Sequence, residues 1–378
     1  MIGSRMLMIL IAATMFMTSI GMVVAEKDVT FVGSYDTGIA SHVAVSGDYA
    51  YVIDETNGLV IVDVSDKKAP AVAGSYDAIK DAHSVTISGN YAYVTDKRDG
   101  LVILDVSNKK APVRTGSYNV KGYAWHVVVS GDYAYVTDYR NGLVIVDVSD
   151  KKSPMYTGRY KVARDAYDVA VSGDYAYVTD KQNGLMIVDV SDKKAPALAG
   201  SYNLKGWTVG VAVSGDYAYV ASDFNGLAIM DVSDAEEPVL IGTCDTTAHA
   251  ETVVVSGGYA YMTDKKNGLM IVDVSDKEAP ILAGSYDTSG DAYDVAVSGD
   301  YAYVADGGEG LIILRVGAGA IPSPTSVATT ASPETTQVLE MTPTPAESPE
   351  SKGPGFEGML TIAGLFAIAY IMRRQGQA

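Results

Sequence analysis

The stretch "GLVIVDVSDKKAPAVAGSYD", Gly58–Asp77, decides the fold because the chain repeats it with few changes, starting again at Gly100, Gly142 and Gly184. A second phrase, "SGDYAY" or a close variant, recurs every 42 residues in seven copies. These copies begin at Ser46, Ser88, Ser130, Ser172, Ser214, Ser256 and Ser298. A period near 40 with strand-like content is typical of a β-propeller in which each repeat forms one four-stranded blade.

Four strands can be read within each repeat. Apolar and small residues alternate in segments such as "HVAVSG" and "YAYVTD", which predicts the first two strands. The third, "GLVIVDV", is almost continuously apolar, as a strand buried on both faces should be. The Asn-Gly or Asp-Gly pairs before it accept the positive φ of a tight hairpin. The fourth strand, "AVAGSYD", follows a "SDKKAP" turn.

Proline positions support this order. Six of the thirteen prolines occur once per repeat, where the fourth strand starts. They are Pro70, Pro112, Pro154, Pro196, Pro238 and Pro280. Proline lacks a backbone N–H and is tolerated best in an edge strand, so the fourth strand should form the outer edge of the blade.

The two ends of the repeat array complement each other. The last copy stops after its third strand, "GLIILRVG", whereas "VTFVGSYD" at Val29–Asp36 is a fourth strand without a preceding three. We therefore predict an all-β fold, a seven-bladed β-propeller of four-stranded blades, with the outer strand of the last blade supplied by the N-terminus. The repeated "GLVIVDVSD" resembles the LVIVD-repeat family of propellers from Val29 to about Gly317. The resemblance implies the fold and little about activity, because propellers serve many functions.

The N-terminus has the pattern of an export signal. Arg5 precedes an apolar run from Met6 to about Val24, and Ala25 is a small residue before charged ones. We predict a signal peptide over residues 1–25 with cleavage near Ala25; an uncleaved anchor helix is the alternative. The propeller should then occupy residues 26–320.

The C-terminus predicts attachment to the cell surface. Residues 321–353 are rich in Thr, Ser and Pro and should form a disordered stalk. In residues 354–378, Pro354, Gly355 and Phe356 precede a short apolar segment and then Arg373 and Arg374. This order resembles the PGF-CTERM signal of archaeal surface proteins. The resemblance implies that an archaeosortase-type enzyme cleaves near the tripeptide and that a lipid anchor replaces the helix; a plain C-terminal membrane anchor is the alternative. We predict an extracellular protein held at the membrane.

Composition excludes several functions. The net charge of −18 argues against nucleic-acid binding, which requires clustered Lys and Arg. The single cysteine, Cys244, excludes an internal disulfide and multi-cysteine metal sites. There is no G-x-S-x-G elbow or Gly-rich phosphate loop. The repeated "DVSD" lacks the pattern of an EF-hand and more often makes capped turns than calcium sites. We predict no catalytic residues and no cofactor, and the balance is against an enzyme.

Function should lie where the copies differ. They differ most before the first strand and between the second and third strands, and both connections emerge on the same face of the disc. Aromatic and polar residues around a concave mouth form recognition sites. The predicted ligand-binding residues are His42, His83, Tyr123, Trp125, His126, Tyr167, Asp168, Trp207, His249, Glu251, Tyr293 and Asp294.

Two features of this mouth have alternative interpretations. His42, His126, Asp168 and Asp294 share one repeat position, and imidazole with carboxylate suits zinc, copper, nickel or iron. Without any local metal-binding spacing, polar side chains at a solvated channel mouth are the simpler interpretation, and we predict no metal. Basic residues in the loops form either a cationic patch for an acidic partner or ordinary solvated loops. They are Lys97, Arg98, Arg140, Lys181, Lys265 and Lys266.

The combined prediction is a surface-anchored propeller that binds an envelope protein, peptide or glycan through loops at one channel mouth. A structural component of the cell envelope is the main alternative, and a metal-dependent enzyme is a weaker one.

Overall fold

The computed structural model describes residues 27–161, 165–223, 226–246 and 249–317. These ranges all lie within the first of the two units into which the chain divides, residues 1–323. The predicted signal peptide, stalk and C-terminal sorting signal fall outside the described residues. Within the described ranges, no helix is long and apolar enough to cross a membrane.

The described residues form 28 strands in seven antiparallel four-stranded sheets, which are the blades. Blade 1 contains β2 (Ala40–Ser46), β3 (Tyr49–Asp54), β4 (Gly58–Asp63) and β5 (Ala71–Tyr76); blade 2 contains β6 (Ala82–Ser88), β7 (Tyr91–Asp96), β8 (Gly100–Asp105) and β9 (Val113–Tyr118). Blade 3 contains β10 (Ala124–Ser130), β11 (Tyr133–Asp138), β12 (Gly142–Asp147) and β13 (Met155–Tyr160); blade 4 contains β14 (Ala166–Ser172), β15 (Tyr175–Asp180), β16 (Gly184–Asp189) and β17 (Ala197–Tyr202). Blade 5 contains β18 (Thr208–Ser214), β19 (Tyr217–Ser222), β20 (Gly226–Asp231) and β21 (Val239–Cys244); blade 6 contains β22 (Ala250–Ser256), β23 (Tyr259–Asp264), β24 (Gly268–Asp273) and β25 (Ile281–Tyr286). Blade 7 contains β26 (Asp294–Ser298), β27 (Tyr301–Ala305), β28 (Leu311–Arg315) and β1 (Thr30–Tyr35).

The blades close into a ring, and the first strand of each blade contacts the first strands of both neighbours. The core lies between blades, where the apolar third strands such as β4 are buried. The fourth strands form the rim, and each of the six that ends its own repeat starts directly after the repeated proline. The sequence prediction of the strand order is therefore confirmed.

The two ends of the repeat array meet in blade 7. Strand β1 pairs antiparallel with β28, from Thr30 opposite Arg315 to Tyr35 opposite Leu311. Lys27 extends the junction: its backbone N–H donates to the Ala283 carbonyl over 2.7 Å. The predicted closure by the N-terminal strand is confirmed, and it removes the open edge that β28 would otherwise present.

Lysines of the "SDKKAP" turns connect adjacent blades. The Lys109 Nζ donates to the Val106 carbonyl over 2.6 Å and lies 5.4 Å from the ring centre of Tyr49 in blade 1. Lys27 takes the same role at the junction, 4.0 Å from the Tyr259 ring and 3.0 Å from the Val316 carbonyl. Cation–π contacts of this kind are each weak but are repeated around the ring.

The hairpin before each third strand differs in detail from the sequence expectation. In blades 1–4 and 6 the positive φ falls on the glycine, as at Gly58 (φ 74°), and not on the asparagine or aspartate that precedes it. The carboxylate of Asp54 accepts hydrogen bonds from the N–H groups of Thr56 and Asn57, which fixes the turn. Side chains of these turns, including Glu55, therefore occupy defined positions at one face of the disc.

A glycine in each outer strand allows the next blade to approach. A Cβ at Gly158 would lie 2.2 Å from the Lys193 carbonyl oxygen in the turn of blade 4. Outer-strand glycines at 33, 74, 116, 200, 242 and 284 face their neighbours in the same way. Any side chain at these positions would force blades apart.

Gly158→Ala should therefore lower the free energy of unfolding by about 1–3 kcal/mol, the usual cost of overpacking a close contact. Equilibrium urea unfolding of the protein measures this value. Gly308→Ala is the matched control, because a Cβ there meets nothing within 4 Å. Equal stability of Gly158→Ala and Gly308→Ala would contradict the proposed role of this contact.

Candidate functional site

The first strands place one repeat position from every blade on a ring around the channel. These residues are His42, Ser84, His126, Asp168, Gly210, Thr252 and Asp294, spaced 42 apart. In blades 1–6 the strand pairing is interrupted at or next to this position, as between Ala124 and Val127. A bulge of this kind re-aims side chains, so the variable residues point into the channel mouth.

A cavity of about 350 Å³ lies at this mouth. It is lined by nine of the twelve predicted binding residues: His42, His83, Trp125, His126, Tyr167, Asp168, Glu251, Tyr293 and Asp294. The sequence prediction missed Ser41, Glu55, Ser84, Val209 and Thr252, which also line the cavity, and Lys265, predicted only as a basic loop residue, lines it as well. Glu55 and Lys265 come from the second-to-third-strand turns, so both variable connections reach the same cavity.

Two histidines and two aspartates meet at the floor of the cavity. The Nε2 atoms of His42 and His126 lie 3.2 Å apart. His42 Nδ1 lies 3.2 Å from Asp294 Oδ2, and His126 Nδ1 lies 2.7 Å from Asp168 Oδ1. All four side chains are largely buried. Residues separated by up to 252 positions in the sequence therefore form one connected polar cluster.

Burial sets the charges of this cluster. Burial and the neighbouring His126 lower the pKa of His42 to about 3. Burial also acts to lower the pKa of His126, but the carboxylates of Asp168 and Asp294 outweigh it and raise that pKa. Burial raises the pKa of Asp294 to about 7. His42 is thus the neutral imidazole of the pair, and His126 is the one that more readily carries a proton.

An arc of aromatic rings forms one side of the mouth. The His83 ring stacks on Trp125 with centroids 4.2 Å apart, and Trp125 meets Tyr167 at 4.9 Å. The Lys181 ammonium lies between Tyr167 and Trp207, 4.3 Å and 4.4 Å from their ring centres. Blades 2 to 5 therefore present an arc of aromatic rings, bridged by Lys181 between Tyr167 and Trp207, which ends in the 52% exposed Trp207.

The opposite side of the mouth is more acidic. Glu251 pairs with Lys265 over 2.6 Å, and that lysine also lies 5.1 Å from the Tyr293 ring centre. Glu55 adds a second carboxylate to this side of the cavity. The mouth is therefore asymmetric, with an aromatic arc facing a wall that carries the Glu251–Lys265 ion pair and the carboxylate of Glu55.

Three predicted residues lie outside the cavity. The exposed Tyr123 stacks with the Arg140 guanidinium at 4.4 Å. His249 pairs with Asp223, and Trp207 contacts Lys181, which also lies over the ring of the lining residue Tyr167. The basic loop residues are also engaged: Arg98 pairs with Asp81, and Lys181 and Lys265 lie against aromatic rings. These contacts weaken the interpretation of the loops as a free cationic patch.

Threonines of the second strands hold the cavity residues in place, a role that the sequence prediction did not assign. Thr137 Oγ1 accepts the His126 N–H at 2.9 Å and donates to the Tyr167 carbonyl at 2.8 Å. Thr95 bridges Ser84 and Trp125 in the same way, and Thr179 and Thr263 also donate to the next blade. The signal was visible: "YVTD" or "YMTD" occurs in four copies, where the others carry Ile53, Ala221 and Ala305.

The cluster contains the elements of a Ser-His-Asp arrangement, because Ser84 Oγ lies 3.2 Å from His42 Nε2 and Asp294 lies behind that ring. A nucleophile must reach a substrate carbonyl. Ser84 is only 1% exposed, and His126 faces the same His42 nitrogen. This geometry does not favour nucleophilic catalysis.

Among the described residues, no group of three or more His, Cys, Asp and Glu side chains is arranged to hold a metal ion.

Thr137→Val should lower the free energy of unfolding by about 1–3 kcal/mol, because the buried His126 N–H and Tyr167 C=O both lose a partner. Urea unfolding followed by tryptophan fluorescence measures the change, since Trp125 is close by. Thr115→Val is the matched control: Thr115 is on the outer strand β9 and makes one local contact of 3.5 Å. A Thr137→Val protein as stable as this control would show that the bridge contributes nothing.

Solved structures confirm the fold at low sequence identity. The β-propeller domain of Cps50 (Swd1) from Myceliophteria thermophila matches with a TM-score of 0.62 at 13% identity, covering 77% of this chain and 100% of that one. Virginiamycin B lyase from Staphylococcus aureus matches with a TM-score of 0.60 at 13% identity, covering 77% and 99%. YCF48 bound to D1 peptide matches with a TM-score of 0.57 at 8% identity, covering 77% and 95%. No curated protein matches the sequence.

Family models identify both parts of the chain. The PGF-CTERM motif matches residues 353–375, which indicates an extracellular protein anchored at the membrane surface after processing by an archaeosortase. The LVIVD repeat matches seven consecutive segments: 37–78, 79–120, 121–162, 163–204, 205–246, 248–288 and 289–323. These segments span most of the chain, and the protein belongs to the LVIVD-repeat family.

Proposed function

We propose that this protein is a surface-anchored recognition domain that binds a peptide or glycan segment of an envelope partner in the cavity at the channel mouth. The observation that carries the proposal is the asymmetry of the mouth. The aromatic arc from His83 to Trp207 faces the carboxylates of Glu55 and Glu251 across a cavity of about 350 Å³.

The chemistry of this mouth suits a segment with both apolar and polar faces. Aromatic rings provide large, rigid contact area at low entropic cost, and they dominate binding energy at interfaces. Carboxylates opposite them accept hydrogen bonds from hydroxyl, amide or ammonium groups. The dense packing between blades keeps these groups pre-organised, which reduces the ordering cost of binding.

The fold alone does not decide between binding and catalysis. One protein of similar fold is a lyase by name and another was solved with a bound peptide. Function must therefore be argued from the site. Ser84 is buried, and the Nε2 atom of His42 that would activate it already contacts His126. Both observations favour binding over catalysis.

A structural role in the envelope is the second candidate, because the rim exposes apolar side chains. Leu198 and Leu282 lie on the outer strands β17 and β25 with nearly half of each side chain exposed, and Phe31 and Met155 are exposed on β1 and β13. Lateral packing of discs would use this rim and not the mouth. Variants in the two places separate the candidates.

We expect the Trp125→Ala/Trp207→Ala protein to lose at least about tenfold in affinity for an envelope partner, because truncating even one hot-spot aromatic costs about 2 kcal/mol or more and about 1.4 kcal/mol corresponds to tenfold. The full chain, immobilised in detergent, is exposed to the envelope fraction of its own cells. Bound material is compared with and without prior protease treatment or periodate oxidation of glycans. Leu198→Ala/Leu282→Ala on the rim is the control.

Loss only in the tryptophan variant, with unchanged circular dichroism, supports recognition at the mouth. The protease and periodate arms then assign the partner to peptide or glycan. Loss only in the rim variant would replace the proposal with the structural role. Since Trp125 packs in the arc, the exposed Trp207→Ala alone keeps the test valid if the double variant misfolds.

A further inference from the structure

The imidazoles of His42 and His126 are arranged as two ligands of one ion. Their Nε2 atoms face each other 3.2 Å apart at the cavity floor. With metal–nitrogen distances of about 2.0–2.1 Å, nitrogen atoms at this separation subtend an angle of about 100° at a shared metal. That angle is close to the tetrahedral value, so an ion would fit with little movement of either ring.

The opposite side of each ring carries the partner that metal-bound histidines require. His42 Nδ1 faces Asp294, and His126 Nδ1 faces Asp168. Metal-ligating histidines almost always direct their second nitrogen to a carboxylate, carbonyl or water, which fixes the ring and makes it more basic. The backbone N–H of Val85 also lies 3.4 Å from His42 Nδ1, so an ion at Nε2 requires the His42 tautomer in which Nδ1 carries the proton and donates it to Asp294.

The carboxylates are themselves fixed by the blades that follow them. Asp168 Oδ2 accepts the N–H of Val211 in blade 5 at 2.8 Å. Asp294 Oδ2 accepts the N–H of Val43 in blade 1 at 2.9 Å. Because the closed ring sets these contacts, the two imidazoles keep their orientation without an ion between them.

The remaining coordination positions would face Ser84 and the cavity. Ser84 Oγ lies 3.2 Å from His42 Nε2, so its hydroxyl can join the ion or orient a water on it. The absence of a third His, Cys, Asp or Glu ligand among the described residues leaves those positions open. An open position is the feature that lets a bound ion exchange water for a donor group of another molecule.

We propose that His42 and His126 bind one divalent transition-metal ion of the zinc class through their Nε2 atoms, held in place by Asp294 and Asp168, with its open side toward the cavity. Two imidazoles favour such ions over calcium or magnesium, which prefer oxygen ligands. The alternative is a direct N–H···N hydrogen bond between the two rings, which the same distance permits. The proposal does not depend on partner recognition, since the metal is measured without a partner.

The four histidines of the chain provide a matched experiment. The full chain is purified in detergent, stripped with chelator and dialysed against zinc or cobalt, and bound metal is counted by mass spectrometry of the elements. His42→Gln and His126→Gln remove proposed ligands, whereas His83→Gln and His249→Gln change histidines of the same mouth that lie outside the cluster. Asp168→Asn tests the carboxylate that orients His126.

We expect one zinc or cobalt ion per chain in the unchanged protein and in the His83 and His249 variants, and none in the His42 and His126 variants. Asp168→Asn should bind about 10–100-fold more weakly, the usual effect of removing a partner of a ligating histidine. Less than one ion in the unchanged protein, or equal binding by all variants, would overturn the site. A crystal grown with zinc decides the question even if a variant misfolds: an anomalous peak about 2.1 Å from both Nε2 atoms supports the proposal, and its absence there overturns it.

Discussion

The pairing of β1 with β28 is the interaction on which the rest of the structure depends. It joins the N-terminal strand to the last three strands and so closes seven similar blades into a ring. Only in a closed ring does each repeat position meet its equivalents around one channel. The cavity, the His42–His126 contact and both carboxylate contacts across blades follow from that closure.

Contacts that are repeated in nearly every blade hold in position the residues that differ from blade to blade. Outer-strand glycines and turn lysines set the spacing between blades, and both recur around the ring. The second-strand threonines form an intermediate class. Thr95, Thr137 and Thr179 occur in consecutive blades and fix the positions of Trp125, Tyr167 and Val209. The aromatic arc therefore lies in the part of the ring where consecutive blades are joined by threonine hydrogen bonds.

Much of the fold could be predicted because repetition made each physical signal redundant. The strand order rested on seven copies of one alternating pattern, and the closure rested on an unmatched fourth strand at Val29–Asp36. The hairpin prediction was wrong in one detail, since in blades 1–4 and 6 an aspartate at the end of the second strand accepts hydrogen bonds from the turn and the positive φ falls on the glycine alone. The candidate site was predicted less completely. Glu55 and Lys265 resemble ordinary loop residues in sequence, and only the ring brings them to the cavity.

The sequence by itself determined the blade, the number of blades, the family and the surface anchor, because these depend on local periodicity and on short contiguous motifs. The tertiary structure decided which variable residues act together. His42, His126, Asp168 and Asp294 share a repeat position with Ser84, Gly210 and Thr252, and the sequence gives no reason to single out the Nε2 atoms of two of them. Their meeting at 3.2 Å depends on the bulges of the first strands and on carboxylates anchored by adjacent blades, which are long-range contacts that no local pattern encodes.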